Sequence, residues 1–149
     1  ENCELNNVKN VTLFEELLSR TEGKVPFNND DNNFNKGVSR VDINSDVLEN
    51  CTTLDSHLQF FKGKIKLLKI DVEGHEINVL LGAKKLLETF KPYIFIEYNR
   101  ESWKIADLRK VIPYDFTVQQ LPYTFFEQTV TLKNSDDPAG FVNLLITPL

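Results

Sequence analysis

The sequence predicts an α/β domain built on a mostly parallel sheet. Three observations point there. From residue 65 onward, strand-like and helix-like segments alternate: IKLLKIDV, EINVLLGAKKLLETF, YIFIEYN and SWKIADLRKVI. That order is the signature of βαβ units. The strand segments are nearly continuous apolar runs, as strands covered on both faces are. Both strands also end in polar groups, DVEGHE and EYN, and sheets of this class bind ligands beyond the carboxyl ends of their strands.

Taken in order, NVTLFEELLS (10–19) fits either a strand or a helical turn. TEGKVPFNNDDNNFNKGVSRVDINSD (about 21–46) is rich in Asn, Asp and Gly and reads as a long loop with local turns. DVLENCTTLDSHLQFF (46–61) reads as a short strand followed by a short helix, with Thr53 as its cap. IKLLKIDV (65–72) is a strand that Gly74 breaks. EINVLLGAKKLLETF (76–90) has helical spacing, with Ile77, Leu80, Ala83, Leu87 and Phe90 on one stripe, and Pro92 ends it. YIFIEYN (93–99) is the next strand, so the βαβ core spans about 65–99. SWKIADLRKVI (102–112) is a weaker helix. YDFTVQQLP (114–122) and GFVNLLITP (140–148) are further strands, with Phe125 and Phe126 between them.

Composition narrows the function classes. A chain of 149 residues with 41% apolar and 26% charged residues suits one domain with one core. The net charge of −5, without a basic block, argues against nucleic acid or an anionic membrane as the main partner. No apolar run nears the roughly 20 residues that span a bilayer, so no stable membrane insertion is expected. ENCELNNVKN is polar throughout and does not read as a signal peptide. Cys3 and Cys51 lack metal-site spacing and are expected to be free thiols in a reducing, cytoplasmic setting. The sequence has no methionine, so a processed fragment or an incompletely read gene is expected.

KLLKIDVEGHEINVLLGAKKLL followed by KPYIFIEYN resembles the FkbM family of S-adenosylmethionine-dependent methyltransferases. The resemblance rests on Lys69, Ile70, Asp71, Val72, Glu73, Gly74 and Glu76, then Val79, Leu80, Gly82 and Ala83, then Ile96 and Glu97. TTLDSHL (52–58) is similar to the family's T-L-D segment, and FVNLLI, with Asn143, to its last strand. The resemblance implies a Rossmann-like class I methyltransferase fold. It also implies transfer of a methyl group to a hydroxyl of a sugar, lipid or natural-product acceptor, whether small molecule or glycan. The family's glycine-rich G-x-G turn has no counterpart among Gly23, Gly37, Gly63, Gly74, Gly82 and Gly140. The chain therefore reads as a single partial domain lacking the first strands and that turn. It is expected to bind the cofactor weakly by itself. Its open sheet edge is expected to be covered by an oligomer partner or a missing N-terminal segment.

The candidate catalytic residues are Asp71, Glu73 and Glu97, which would orient or deprotonate an acceptor hydroxyl. Asp71 and, on the family's architecture alone, Ser19 are the candidate cofactor contacts. Between Asp71 and Glu73, one carboxylate is expected to face the cleft and the other to cap the following helix. Ligands converging on a metal ion are therefore not expected. His75 and His57 are assigned to the surface, Gly82 to close helix–sheet packing, and Asn35, Gly37 and Ser39 to a solvated loop. Two rival readings are a non-catalytic scaffold of the same fold and a divalent-metal-assisted methyltransferase.

Overall fold

The computed structural model describes residues 2–28, 39–122, 128–133 and 135–149. A short helix α1 (Asn2–Leu5) is followed by strands β1 (Leu17–Leu18), β2 (Gly23–Asn28), β3 (Arg40–Val41) and β4 (Leu48–Thr52). A 3-10 helix (Asp55–Phe60) leads to β5 (Leu67–Ile70), helices α2 (Glu76–Leu81) and α3 (Lys84–Phe90), and β6 (Tyr93–Asn99). Helix α4 (Ile105–Val111) and strands β7 (Phe116–Gln120), β8 (Val130–Leu132) and β9 (Phe141–Pro148) complete the chain.

Two sheets result. The smaller has the order β1-β4-β2-β3, the larger β5-β6-β9-β7-β8. The α/β class is borne out, but the mostly parallel sheet is not. Among the described residues only β5·β6 and β1·β4 pair in parallel; the remaining pairs are antiparallel. The reason lies at the C-terminal end. β9 enters between β6 and β7, antiparallel to both, so β6 and β7 share a direction without touching. Parallel neighbours need a crossover of a dozen or more residues. In the larger sheet that condition is met between neighbours only by the helical connection from β5 to β6.

The described parts of the 21–46 stretch, 21–28 and 39–46, are also more ordered than their composition predicts. β2 forms a ladder with β4 and pairs with β3, and Asp42 turns the chain by accepting Asn44 N at 3.0 Å. Asn35 and Gly37 lie outside the described residues, as do Phe125 and Phe126.

The predicted helix 76–90 is two helices. Asp55 divides them. Its backbone N–H takes the Gly82 carbonyl (2.9 Å), while its carboxylate accepts Lys85 N and Leu86 N, both at 2.9 Å. The acid of the TLD segment thus caps the start of α3 from outside the helix. Gly82 is fixed by the same junction, since a Cβ there would collide with the Ser19 carbonyl and press on Thr53. The expected packing role of Gly82 holds. Thr53 also contributes as expected, its Oγ1 accepting Ser56 N at 3.1 Å.

The core gathers the predicted apolar stripe with the sheet. Leu80, Ala83, Leu87, Ile94, Ile96, Leu108, Leu144 and Ile146 are fully buried. Cys3 is exposed, Cys51 is buried, and both are unpaired. Among the described residues, no helix is long and apolar enough to cross a membrane.

Candidate active site

Past Ile70 the chain leaves β5 and reverses at Glu73–Gly74. His75 N donates to the Val72 carbonyl (3.3 Å), and the two central residues have φ of 52° and 96°. Positive φ at both positions is what a type I′ turn demands. Gly74 adopts it freely, and a Cβ there would lie 2.8 Å from Ser102 Oγ. Glu73 adopts it against a cost of about 1–3 kcal/mol, so neighbouring structure has to hold the turn.

Glu76 holds it. Its side chain is 1% exposed, yet every donor it needs is present. Oε1 accepts Gly74 N at 3.0 Å and Val72 N at 3.4 Å, and Oε2 accepts Trp103 Nε1 at 3.1 Å. A buried carboxylate is tolerated when it is hydrogen-bonded in this way. Trp103 in turn packs edge-on against Tyr98, with ring centroids 4.8 Å apart. Tyr98 Oη donates to Asp137 Oδ1 at 3.0 Å, and the same oxygen accepts Ile105 N at 3.0 Å. Burial and the Asp137 carboxylate push the Tyr98 hydroxyl up to about 12.

The turn brings the three predicted acids together. In the parallel β5·β6 ladder Ile70 faces Ile96, so the next positions along the two strands are Asp71 and Glu97. They share the face opposite the buried isoleucines. Glu73, two residues after Asp71, returns to that side. One oxygen from each of Asp71, Glu73 and Glu97 lies within 4.8 Å of the others. The expected divergence of Asp71 and Glu73 is therefore overturned: a spacing of two keeps side chains on one side of an extended chain, and the turn preserves it. Asp71 is steadied by Lys69 Nζ at 2.7 Å. Burial, reinforced by the charges of Glu73, Asp71 and Glu76, raises the Glu97 carboxyl above its usual range. Three carboxylates this close could share a proton or ligate a hard divalent cation.

Beside them opens a cleft of about 430 Å³. Leu17, Leu18, Phe27, Val41 and Val72 form its apolar wall. Ser39, Arg40, Asp71, Glu73 and His75 form its polar rim.

The surface assignment of His75 is corrected here. The ring is half-buried and bridges two side chains. Nδ1 accepts from Asn78 Nδ2 (3.2 Å), which leaves Nε2 to donate to Ser19 Oγ (3.0 Å). Burial lowers the pKa of His75, against the opposing pull of Glu76. Ser19 is itself buried and meets the site through this bond. His57 is not on the surface either. It packs edge-on to Phe14, with Nε2 2.8 Å from Glu16 Oε2 and Nδ1 3.0 Å from the Thr53 carbonyl, outside the cleft.

The sequence offers Glu76 as a motif residue and, with Asp71, Glu73 and His75, as a ligand in the metal-assisted rival, but not as the buried carboxylate that holds the turn; it does not point to Trp103 or Arg40. Glu76 was legible in principle, as a carboxylate on the buried stripe side of a helix start. Trp103 and Arg40 carried no such signal.

The family model for the methyltransferase FkbM domain matches residues 3–125. No curated protein and no solved structure matches the chain.

Proposed function

The chain belongs to the FkbM methyltransferase domain family, and from that premise we propose that it serves S-adenosylmethionine-dependent O-methylation of a small-molecule or glycan hydroxyl in the cytoplasm. The observation that carries the reading is the convergence of Asp71, Glu73 and Glu97 at the carboxyl ends of two parallel strands, beside a half-apolar cleft. A Rossmann-like arrangement places its chemistry at that edge.

The cleft suits the cofactor in chemical character. Leu17, Leu18, Phe27 and Val72 offer an apolar wall to an adenosyl group, and the carboxylates at the rim set up a negative field for a cationic sulfonium. When bound, S-adenosylmethionine supplies an electrophilic methyl group open to in-line displacement. Asp71, held by Lys69, orients the acceptor hydroxyl. Glu97, whose proton affinity is raised by burial and by its acidic neighbours, accepts the hydroxyl proton. Glu73 closes the acidic face. Ser19 and His75 fix the wall where β1 meets the turn.

Titrating the ¹⁵N-labelled chain with S-adenosylhomocysteine tests the reading. Binding is expected to be weak, because no G-x-G turn cradles the ligand, but the amides of Leu18, Val72 and His75 should shift saturably. Absence of any shift there at millimolar ligand favours the non-catalytic scaffold. The clustered carboxylates also favour a second reading, in which a divalent cation assists. Activity of an FkbM enzyme carrying this segment would then vanish with a chelator and return with Mg²⁺ or Ca²⁺; indifference to the chelator removes that reading.

A further inference from the structure

Among the described residues that line the acidic cleft, Arg40 is the one permanent cation. It opens β3 and, with Glu73, lines both that cleft and a neighbouring depression. Opposite charges that border one space ordinarily close on each other. Yet among the described residues the one ion pair of Arg40 is with Asp42, whose Oδ2 lies 4.0 Å from Nη2. That contact is loose. Asp42 is engaged in its own turn, where Oδ1 accepts Asn44 N at 3.0 Å and Asn44 Nδ2 at 3.2 Å. Its carboxyl is held below the ordinary range first by Asn44 and least by Arg40. The Arg40 side chain is 53% exposed, and a surface pair at that distance contributes little. The guanidinium therefore keeps most of its donors for a ligand.

We propose that Arg40 is a specificity-determining residue, and that the acceptor it selects carries an oxyanion, a carboxylate or a phosphate, a few bonds from the hydroxyl that is methylated. The inference rests on the methyl-transfer reading. It adds a charge that the hydroxyl reading leaves open, whatever the carbon frame. The planar fork of a guanidinium matches the oxygens of carboxylate and phosphate two at a time. The cluster of Asp71, Glu73 and Glu97 repels such a group but accepts hydrogen bonds from hydroxyls. An acceptor with both ends is thus laid down in one direction, anion on Arg40 and hydroxyl on the carboxylates. Arg40 stands further from those carboxylates than an ion pair, so the two ends of the acceptor must be separated. The cofactor's own carboxylate is the less apt partner. Arg40 also opens onto the neighbouring depression, which Leu17, Leu18 and Phe27, the wall offered to the adenosyl group, do not line.

The test titrates the ¹⁵N-labelled full chain, at physiological salt, with glycerate, glycerol phosphate and glycerol. At least one of the two anions should saturably shift the Arg40 Nε–H signal and the amides of Val41 and Glu73, and glycerol should not. Arg40→Gln should weaken that binding about 10-fold, the loss of a charge-assisted contact, with an unchanged melting temperature. Arg40→Lys, which keeps the charge without the fork, should recover part of the affinity. Failure of both anions to move these signals, equal binding of glycerol, or binding that Arg40→Gln leaves intact overturns the proposal. Titration of the same samples with S-adenosylhomocysteine keeps the two readings separable. Cofactor shifts without anion shifts sink the anionic acceptor alone. Anion shifts that vanish in Arg40→Gln, without cofactor shifts, support the Arg40 subsite and count against methyl transfer. A cofactor affinity that falls in Arg40→Gln while neither anion binds assigns Arg40 to the cofactor and overturns the proposal.

Discussion

At the scale of single residues, the proton affinity of Glu97 is raised first by burial and then by the acids beside it. Its folded-state pKa is raised, so the folded chain holds that proton more tightly than the unfolded chain does. The resulting stabilisation is full below the ordinary glutamate range and is lost as pH rises through the folded value. At neutral pH, ionised Glu97 is a liability to the fold. Glu97→Gln is expected to raise the melting temperature at pH 7 and to leave it nearly unchanged at pH 4, while turnover of an intact enzyme carrying it falls by about 10²–10⁴. A lower melting temperature at pH 7 would contradict the cause assigned to the shift. Asp71→Asn should cause a similar loss of turnover without loss of stability, because the side chain is exposed and the strand before it is anchored by Ile70. Activity retained within a few-fold would remove Asp71 from the reaction. His75 has the opposite sign to Glu97. Its folded pKa is lowered, so stability falls as pH drops below the ordinary histidine value of 6.5. His75→Gln should flatten that part of a melting-temperature profile; an unchanged slope would show that other groups set it.

At the scale of elements, two acids organise the junctions. Glu76 ties the turn after β5 to Trp103, in the segment that leads into α4. Removing its carboxylate strands buried N–H groups of Gly74 and Trp103, a loss of about 1–3 kcal/mol for an unsatisfied buried donor. Glu76→Ala should therefore lower stability by that order in urea denaturation and release Glu73 from its left-handed conformation. Glu76→Gln, which keeps one acceptor, should recover part of the loss. Equal stability of the three proteins would mean that the turn is held by something else. Asp55 does the analogous work for α3. Asp55→Ala should cost about 0.5–2 kcal/mol, the range for loss of a helix cap, and a helical content unchanged by circular dichroism with full stability would exclude that role.

At the scale of the whole molecule, the larger sheet ends on one side in an open strand edge. β5 is its first strand and, among the described residues, pairs only with β6. Leu67 and Tyr93 face each other across that ladder and are 60% and 50% exposed. An open strand edge with apolar side chains beside it recruits another strand. The isolated chain is expected to elute from size-exclusion chromatography as a concentration-dependent oligomer, and Leu67→Lys to shift it toward monomer. A wild-type monomer at every concentration would contradict this.

The sequence by itself determined the parts governed by local periodicity and covalent order. The stripe Leu80, Ala83 and Leu87, the apolar runs of β5 and β6, and the punctuation by Gly74 and Pro92 were all legible, because 3.6- and 2-residue repeats are written along the chain. The motif in DVEG and its family were legible for the same reason. Only the tertiary structure decided what depends on partners distant in sequence. Asp55 reaches across some thirty residues to split a helix that periodicity alone reads as continuous. β9 returns between β6 and β7, which turns an expected parallel sheet into a mixed one. The register of Ile70 with Ile96 sets Asp71 beside Glu97, and the burial of Glu76 beneath Trp103 bends Glu73 toward them. No local pattern encodes strand order or long-range capping, since those are settled by which buried groups find hydrogen-bond partners once the core has closed.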